Sequence, residues 1–184
     1  IADPFAEGVA GGWQVIDATR LERDTVLEAD AVIVGTGAGG GTAAEILAGA
    51  GWRVLMIEEG PLKSSRDFRM LESEAYPQLY QESAARKTGD KAINILQGRC
   101  VGGGTTVNWT SSFRTPPATL EHWQRAYGLT GLTVEAMAPW FAQMERRLSI
   151  APWDVAPNAN NEALARGARK LGIVAPGIRR NVKG

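Results

Sequence analysis

Two short apolar runs lie in the first third of the chain. Ala31-Val32-Ile33-Val34 is unbroken and ends at Gly35; Arg53–Ile57 (RVLMI) is a second run that stops at Glu58-Glu59-Gly60-Pro61. Runs without polar alternation are apolar on both faces, which predicts parallel strands covered by helices on each side. Between them, Thr42–Ala50 is alanine-rich and predicts a helix that can pack close to a strand, ended by Gly49 and Gly51. Strand, glycine turn, helix and strand in this order form one βαβ unit.

The pattern elsewhere is looser. Residues 1–28 form a mixed lead-in without clear periodicity, and residues 29–184 are expected to form the N-terminal part of a larger domain. Lys63–Asp90 is polar and partly helical, with Pro77 inside it, and reads as an excursion from the sheet. Ile93, Ile95 and Leu96 then lead into a glycine-rich loop, Gly98–Asn108. Thr115-Pro116-Pro117 predicts a helix start, with the helix running to Tyr127 and stopping at Gly128. Met137, Trp140, Phe141, Met144 and Leu148 recur at helical spacing as a core stripe, and Pro139 either begins or kinks that helix. A last helix fits Asn160–Leu171, with Gly172 as its stop, and no finished element is expected at the closing RRNVKG.

Composition narrows the classes of function. Twenty basic and twenty acidic residues cancel, and no basic stripe is present, so nucleic acid is not an expected partner. One Cys excludes an internal disulfide, and one Cys with one His cannot form a zinc cluster, so no metal is expected. The opening residues lack a signal-peptide pattern and no run is long enough to span a membrane, so localisation is not fixed. Glycine is the outlier: 22 residues, about 12% where roughly 7% is usual. Nine of these fall in two short loops, at positions 35, 37, 39, 40 and 41 and at 98, 102, 103 and 104.

The first loop, Gly35-Thr36-Gly37-Ala38-Gly39-Gly40, fits G-x-G-x-x-G between a strand and a helix, with Glu58 at the end of the next strand. Glycines there make the tight turn and admit a pyrophosphate to the backbone amides of a helix N-terminus, while the acid accepts hydrogen bonds from ribose. The bland alternative is a tight turn with nothing bound. A dinucleotide is expected, but NAD and FAD use the same device. The second loop, Gly98-Arg99-Cys100-Val101-Gly102-Gly103-Gly104-Thr105-Thr106-Val107-Asn108, exposes many amides and hydroxyls suited to phosphate or a polar-edged ring. Its alternative is a flexible surface loop. Cys100 reads as small buried filler ahead of an activated thiol. His122, the only imidazole, follows the Pro-Pro turn in an amphipathic helix and invites a general-base reading.

The strings GTGAGGGTAAEILAGAGWRVLMIEEG and GRCVGGGTTVNWTSSFRTP together resemble the glucose–methanol–choline (GMC) oxidoreductases, flavoenzymes that oxidise alcohols with FAD. VGGGTTVNW and FRTPP are most similar to the branch of long-chain-alcohol oxidases and related bacterial dehydrogenases. The resemblance runs from about Asp30 to the last residue. It implies an α/β fold, a Rossmann-like FAD-binding βαβ unit with additional helices, incomplete without the rest of the enzyme. It implies that Gly35, Gly37, Ala38, Gly39 and Gly40 hold the FAD pyrophosphate and Glu58 the adenosine ribose. Val101, Gly103, Gly104 and Thr105 match the family's flavin-side loop, and Asn108, Trp109 and Ser111 match positions beside the isoalloxazine. Some members attach FAD through a histidine in this loop; the matching position is Val107, so the expected FAD is non-covalent. One departure is Ser112, where the family often has an aromatic residue, with Phe113 one place later. Family members abstract the alcohol proton with a histidine, paired with His or Asn, far downstream and not at the place of His122, so no catalytic residue is expected in these 184. The expected partners are an alcohol substrate and the remainder of the same enzyme. A nicotinamide-dependent dehydrogenase fragment and a non-catalytic dinucleotide-binding module stand as alternatives.

Overall fold

The computed structural model describes residues 3–153, 155–174 and 177–182. They gather into two compact units, one up to Asn108 and one from Trp109 onward.

The first unit is built on the expected βαβ. Strand β1 (Ala31–Val34) pairs in parallel with β2 (Val54–Ile57), Ala31 opposite Val54 and Val34 opposite Ile57. A helix packs on the pair, and at Ala38–Gly49 it begins earlier than Thr42, inside the glycine motif. It is the second helix of the chain, α2. The first, α1 (Pro4–Ala10), lies in the lead-in, where no periodicity announces it. The local reason is its cap. Asp3 accepts from the amides of Phe5 (3.2 Å) and Ala6 (3.3 Å), and Pro4 pre-sets the first turn. Asp3 also accepts from the Ser64 hydroxyl (3.0 Å) and pairs with Arg66, which ties the lead-in to the excursion after β2.

The expectation that both faces of the strands are covered does not hold. In β1, Ala31 and Ile33 are half-buried while Val32 and Val34 are exposed, Val34 to 84%. One helix covers one face of a two-stranded pair. The excursion itself holds α3 (Glu72–Leu79), with Pro77 inside it, then a left-handed turn at Glu82–Ala84, and it returns through a bridge between Tyr80 and Gly98. The second glycine loop is not wholly irregular, since Gly104–Val107 winds into a short helical turn, α4.

The second unit is mostly helical. Helix α5 (Pro117–Tyr127) ends as expected on Gly128, which takes the left-handed conformation (φ 67°), and buries Leu120. Helix α6 (Val134–Arg147) starts on a Thr133 cap, so Pro139 lies inside it rather than at its start. Helix α7 (Ala159–Lys170) follows an Asn158 cap. The closing segment is not featureless. Arg179–Arg180 (β4) pairs antiparallel with Ala151–Pro152 (β3), and Arg180 also bridges to Ser111. Arg114 makes a bidentate pair with Glu145 (2.8 and 2.7 Å) between the chain before α5 and helix α6. No helix among the described residues is long and apolar enough to cross a membrane.

Candidate functional site

The first glycine loop joins β1 to α2. Gly35 turns the chain with φ 93°, a conformation that strains any side chain. A Cβ on Gly40 would overlap the carbonyl oxygen of Gly35, so helix and strand close only because that position is bare. Gly37 and Gly39 differ. Neither has a left-handed φ, and a Cβ on either would meet nothing within 4 Å. The packing of neighbouring atoms does not require glycine at either position, and at Gly39, inside the helix, glycine costs about 0.5–1 kcal/mol relative to alanine. Bare backbone facing open space fits a ligand that must approach it closely. The start of α2 supports this, because no side chain caps it at Gly37 and its first amides point outward at the positive end of a 12-residue helix. These residues fit the pyrophosphate of a dinucleotide.

Glu58 follows β2 and is half-buried beside this loop. Its Oε2 accepts from the Thr36 amide (2.9 Å) and hydroxyl (2.6 Å), and its Oε1 accepts from the Gly60 amide (3.0 Å). Partial burial pushes its carboxyl up, but the hydrogen bonds from the Thr36 hydroxyl and the amides of Gly60, Thr36 and Glu59 outweigh it and hold it below the usual range. It is an ionised acceptor fixed in place at neutral pH. Oε2 already takes two donors, so a further donor such as a ribose hydroxyl would approach Oε1.

The second glycine loop lies against the first. The Gly102 amide donates to the Thr36 hydroxyl oxygen (3.0 Å), and a Cβ on Gly103 would stand 3.1 Å from the Cα of Gly37. The loop stem is held by the Val101 amide on the Pro61 carbonyl (3.1 Å) and by the Arg99 amide on the Leu79 carbonyl (2.7 Å). Gly35, Gly37, Ala38, Gly39, Gly40, Glu58, Val101, Gly103, Gly104, Thr105 and Asn108 therefore belong to one compact unit. A Cβ on Gly104 also meets nothing within 4 Å, a third bare position without an internal cause. Asn108 donates from Nδ2 to the Thr105 carbonyl (2.7 Å) at the end of the loop. Trp109, 78% exposed, and Ser111 fall in the second unit.

The remaining chemistry-bearing residues separate cleanly. Cys100 is 1% exposed, with Sγ near the Gly103 carbonyl. Burial pushes its thiol up and the Glu58 charge acts the same way, only partly offset by Thr106 and Gly103. It is packing, not a nucleophile. His122 is exposed on α5, edge-on to Tyr127 (5.7 Å between ring centres). No group of three or more potential metal-ligating side chains gathers among the described residues. Thr36 and Gly102 are the residues that motif reading passed over. The pattern leaves position 36 free, and nothing local links it to a residue 66 positions later.

Residues 29–184 match the model of the N-terminal part of the GMC oxidoreductases. The chain belongs to that family. This GMC chain is 36% identical over 161 residues to the long-chain-alcohol oxidase FAO1 of Arabidopsis thaliana, covering 87% of this chain and 21% of that protein. It is 32% identical over 196 residues to an uncharacterised GMC-type oxidoreductase of Mycobacterium tuberculosis, covering 100% of this chain and 31% of that protein. Among solved structures, pyridoxine 4-oxidase from Mesorbium loti is similar at 25% identity and a TM-score of 0.45, over 61% of this chain and 24% of that one. The chain thus spans about a fifth of the length of the curated alcohol oxidases it matches. The family bears out the α/β, Rossmann-like FAD-binding fold expected from the two glycine strings.

Proposed function

We propose that this chain is the FAD-binding portion of a flavoprotein that oxidises an alcohol to a carbonyl. The observation that carries it is the pair of apposed glycine loops, bare at Gly37, Gly39 and Gly104 where the fold itself makes no demand for glycine. In this reading Gly35, Gly37, Ala38, Gly39 and Gly40 receive the pyrophosphate on the amides of α2, and Glu58 takes the adenosine ribose. As an anion held by its own loop, Glu58 also repels a 2′-phosphate. Val101, Gly103, Gly104, Thr105 and Asn108 line the flavin side, with Trp109 and Ser111 as further flavin-side residues. Bound FAD supplies a two-electron acceptor for the carbinol hydride. Val107 presents no nucleophile and Cys100 is buried, which supports non-covalent attachment. The alcohol and the base that takes its proton are assigned to polypeptide beyond this chain. The similarity to long-chain-alcohol oxidases at 33–36% identity favours a hydrophobic alcohol.

The test is an absorption spectrum of the purified full-length protein, followed by anaerobic addition of a long-chain primary alcohol. Flavin bands that bleach with the alcohol are expected; a nicotinamide chromophore in their place, or none, overturns the reading. Gly37→Asp should abolish flavin retention by facing an acid to the pyrophosphate, while leaving α2 intact because Asp is itself a good helix cap. A fully flavinated Gly37→Asp protein would remove the loop assignment.

A further inference from the structure

Thr36 occupies a position at which the dinucleotide motif accepts any residue. In this structure its hydroxyl does two things at once. It donates to Glu58 Oε2 (2.6 Å) and accepts from the Gly102 amide (3.0 Å). An ionised carboxylate can only accept, so Glu58 fixes the direction of the Thr36 proton and turns a lone pair toward Gly102. A hydroxyl can serve as donor and acceptor at once, and here it does both.

We infer that Thr36 is a positioning residue that locks the second glycine loop onto the first, setting the spacing between the two halves of the cofactor cradle. The close approach of Gly103 to Gly37 is the independent observation. A Cβ added to Gly103 would stand 3.1 Å from the Gly37 Cα, so a side chain there would press on the first loop beside the residues that the hydroxyl joins. The inference rests on the FAD reading above, because it assigns one loop to each end of one ligand.

Loss of the hydroxyl has unequal consequences. Without it Glu58 still accepts the Thr36 amide (2.9 Å) and the Gly60 amide (3.0 Å), so the adenosine side stays ordered. The Gly102 amide loses its acceptor, and the second loop keeps only its stem contacts, the Tyr80 hydroxyl on the Val107 carbonyl (3.4 Å) and the close approach of Gly103 to Gly37. ADP samples only the first loop and Glu58, whereas FAD samples both loops. The ratio of their affinities therefore reports on the lock, and a general loss of structure would lower both together.

The experiment titrates ADP and FAD into flavin-stripped full-length protein, followed by calorimetry. Thr36→Val should weaken FAD about tenfold and change ADP by no more than about twofold, and Thr36→Ser should restore both affinities. Thr36→Ala removes the same hydroxyl with less bulk and carries the test if the valine variant does not fold. Hydroxyl-free variants that bind FAD like wild type, or that lose ADP and FAD in equal proportion, overturn the lock and leave the cofactor reading standing. Wild-type protein that binds neither ligand overturns that reading and the lock with it.

Discussion

A Cβ on Gly40 would overlap the Gly35 carbonyl, while one on Gly39 would meet nothing within 4 Å, although both sit in the first turn of α2. The two alanine substitutions should therefore fail differently. Gly40→Ala forces the helix away from β1 and should cost about 1–3 kcal/mol of stability, read as a lower melting temperature of the apoprotein. Gly39→Ala suits the helix and should leave that temperature unchanged or higher, while FAD affinity falls because the methyl fills the approach to the backbone. Equal loss of stability in both would show that Gly39 serves packing instead. At this scale the sequence displayed the glycines and Glu58 but not their reasons. A motif names positions, and it cannot separate glycine demanded by a neighbouring carbonyl from glycine kept for a ligand. Thr36 was hidden for the converse reason, since its partner Gly102 is remote in sequence and close only after folding.

The elements were legible where their periodicity or punctuation is strong. Strands β1 and β2 follow unbroken apolar runs, and α5 runs from a proline to a left-handed glycine. The first turn of α2, from Ala38, is hidden in the sequence because glycine lowers helix propensity, yet a first turn needs no intrahelical amide bonds. Helix α1 shows no period because seven residues are too few for one; its sign is the Asp3-Pro4 cap alone. That cap allows a prediction about the whole element. Burial pushes the Asp3 carboxyl up, but bonds from the Ala6 amide, Ser64 hydroxyl and Phe5 amide and the charge of Arg66 together hold it below 3.8. A carboxyl lowered by folding stabilises above its unfolded value and loses that contribution as pH falls through the folded one. Amide exchange over residues 5–10 should therefore show protection at neutral pH that disappears only below about the ordinary aspartate value. Asp3→Ala should be unprotected throughout. Protection of α1 in that variant at neutral pH would show that the carboxylate does not hold the helix.

Across the whole molecule, apolar surface is placed unlike that of a finished enzyme core. Val32 and Val34 of β1, at 56% and 84% exposure, occupy the face opposite the half-buried Ala31 and Ile33. Central parallel strands are ordinarily covered on both faces, and the unbroken AVIV run reflects that requirement rather than the cover present in these residues. The long-chain-alcohol oxidases that the chain resembles are about four times its length, and additional polypeptide of that size can supply a second covering layer. The 184-residue chain prepared by itself should then bind a hydrophobic dye and self-associate as concentration rises. Val32→Thr with Val34→Thr should reduce both effects in the short chain, because each replaces a solvent-facing apolar group with a β-branched polar one that keeps strand propensity. In the full-length protein the same pair should lower stability, because each hydroxyl enters an apolar layer without a partner. Unchanged stability of the full-length variant would mean that this face of β1 stays open to water and that the apolar run answers to something other than a second layer.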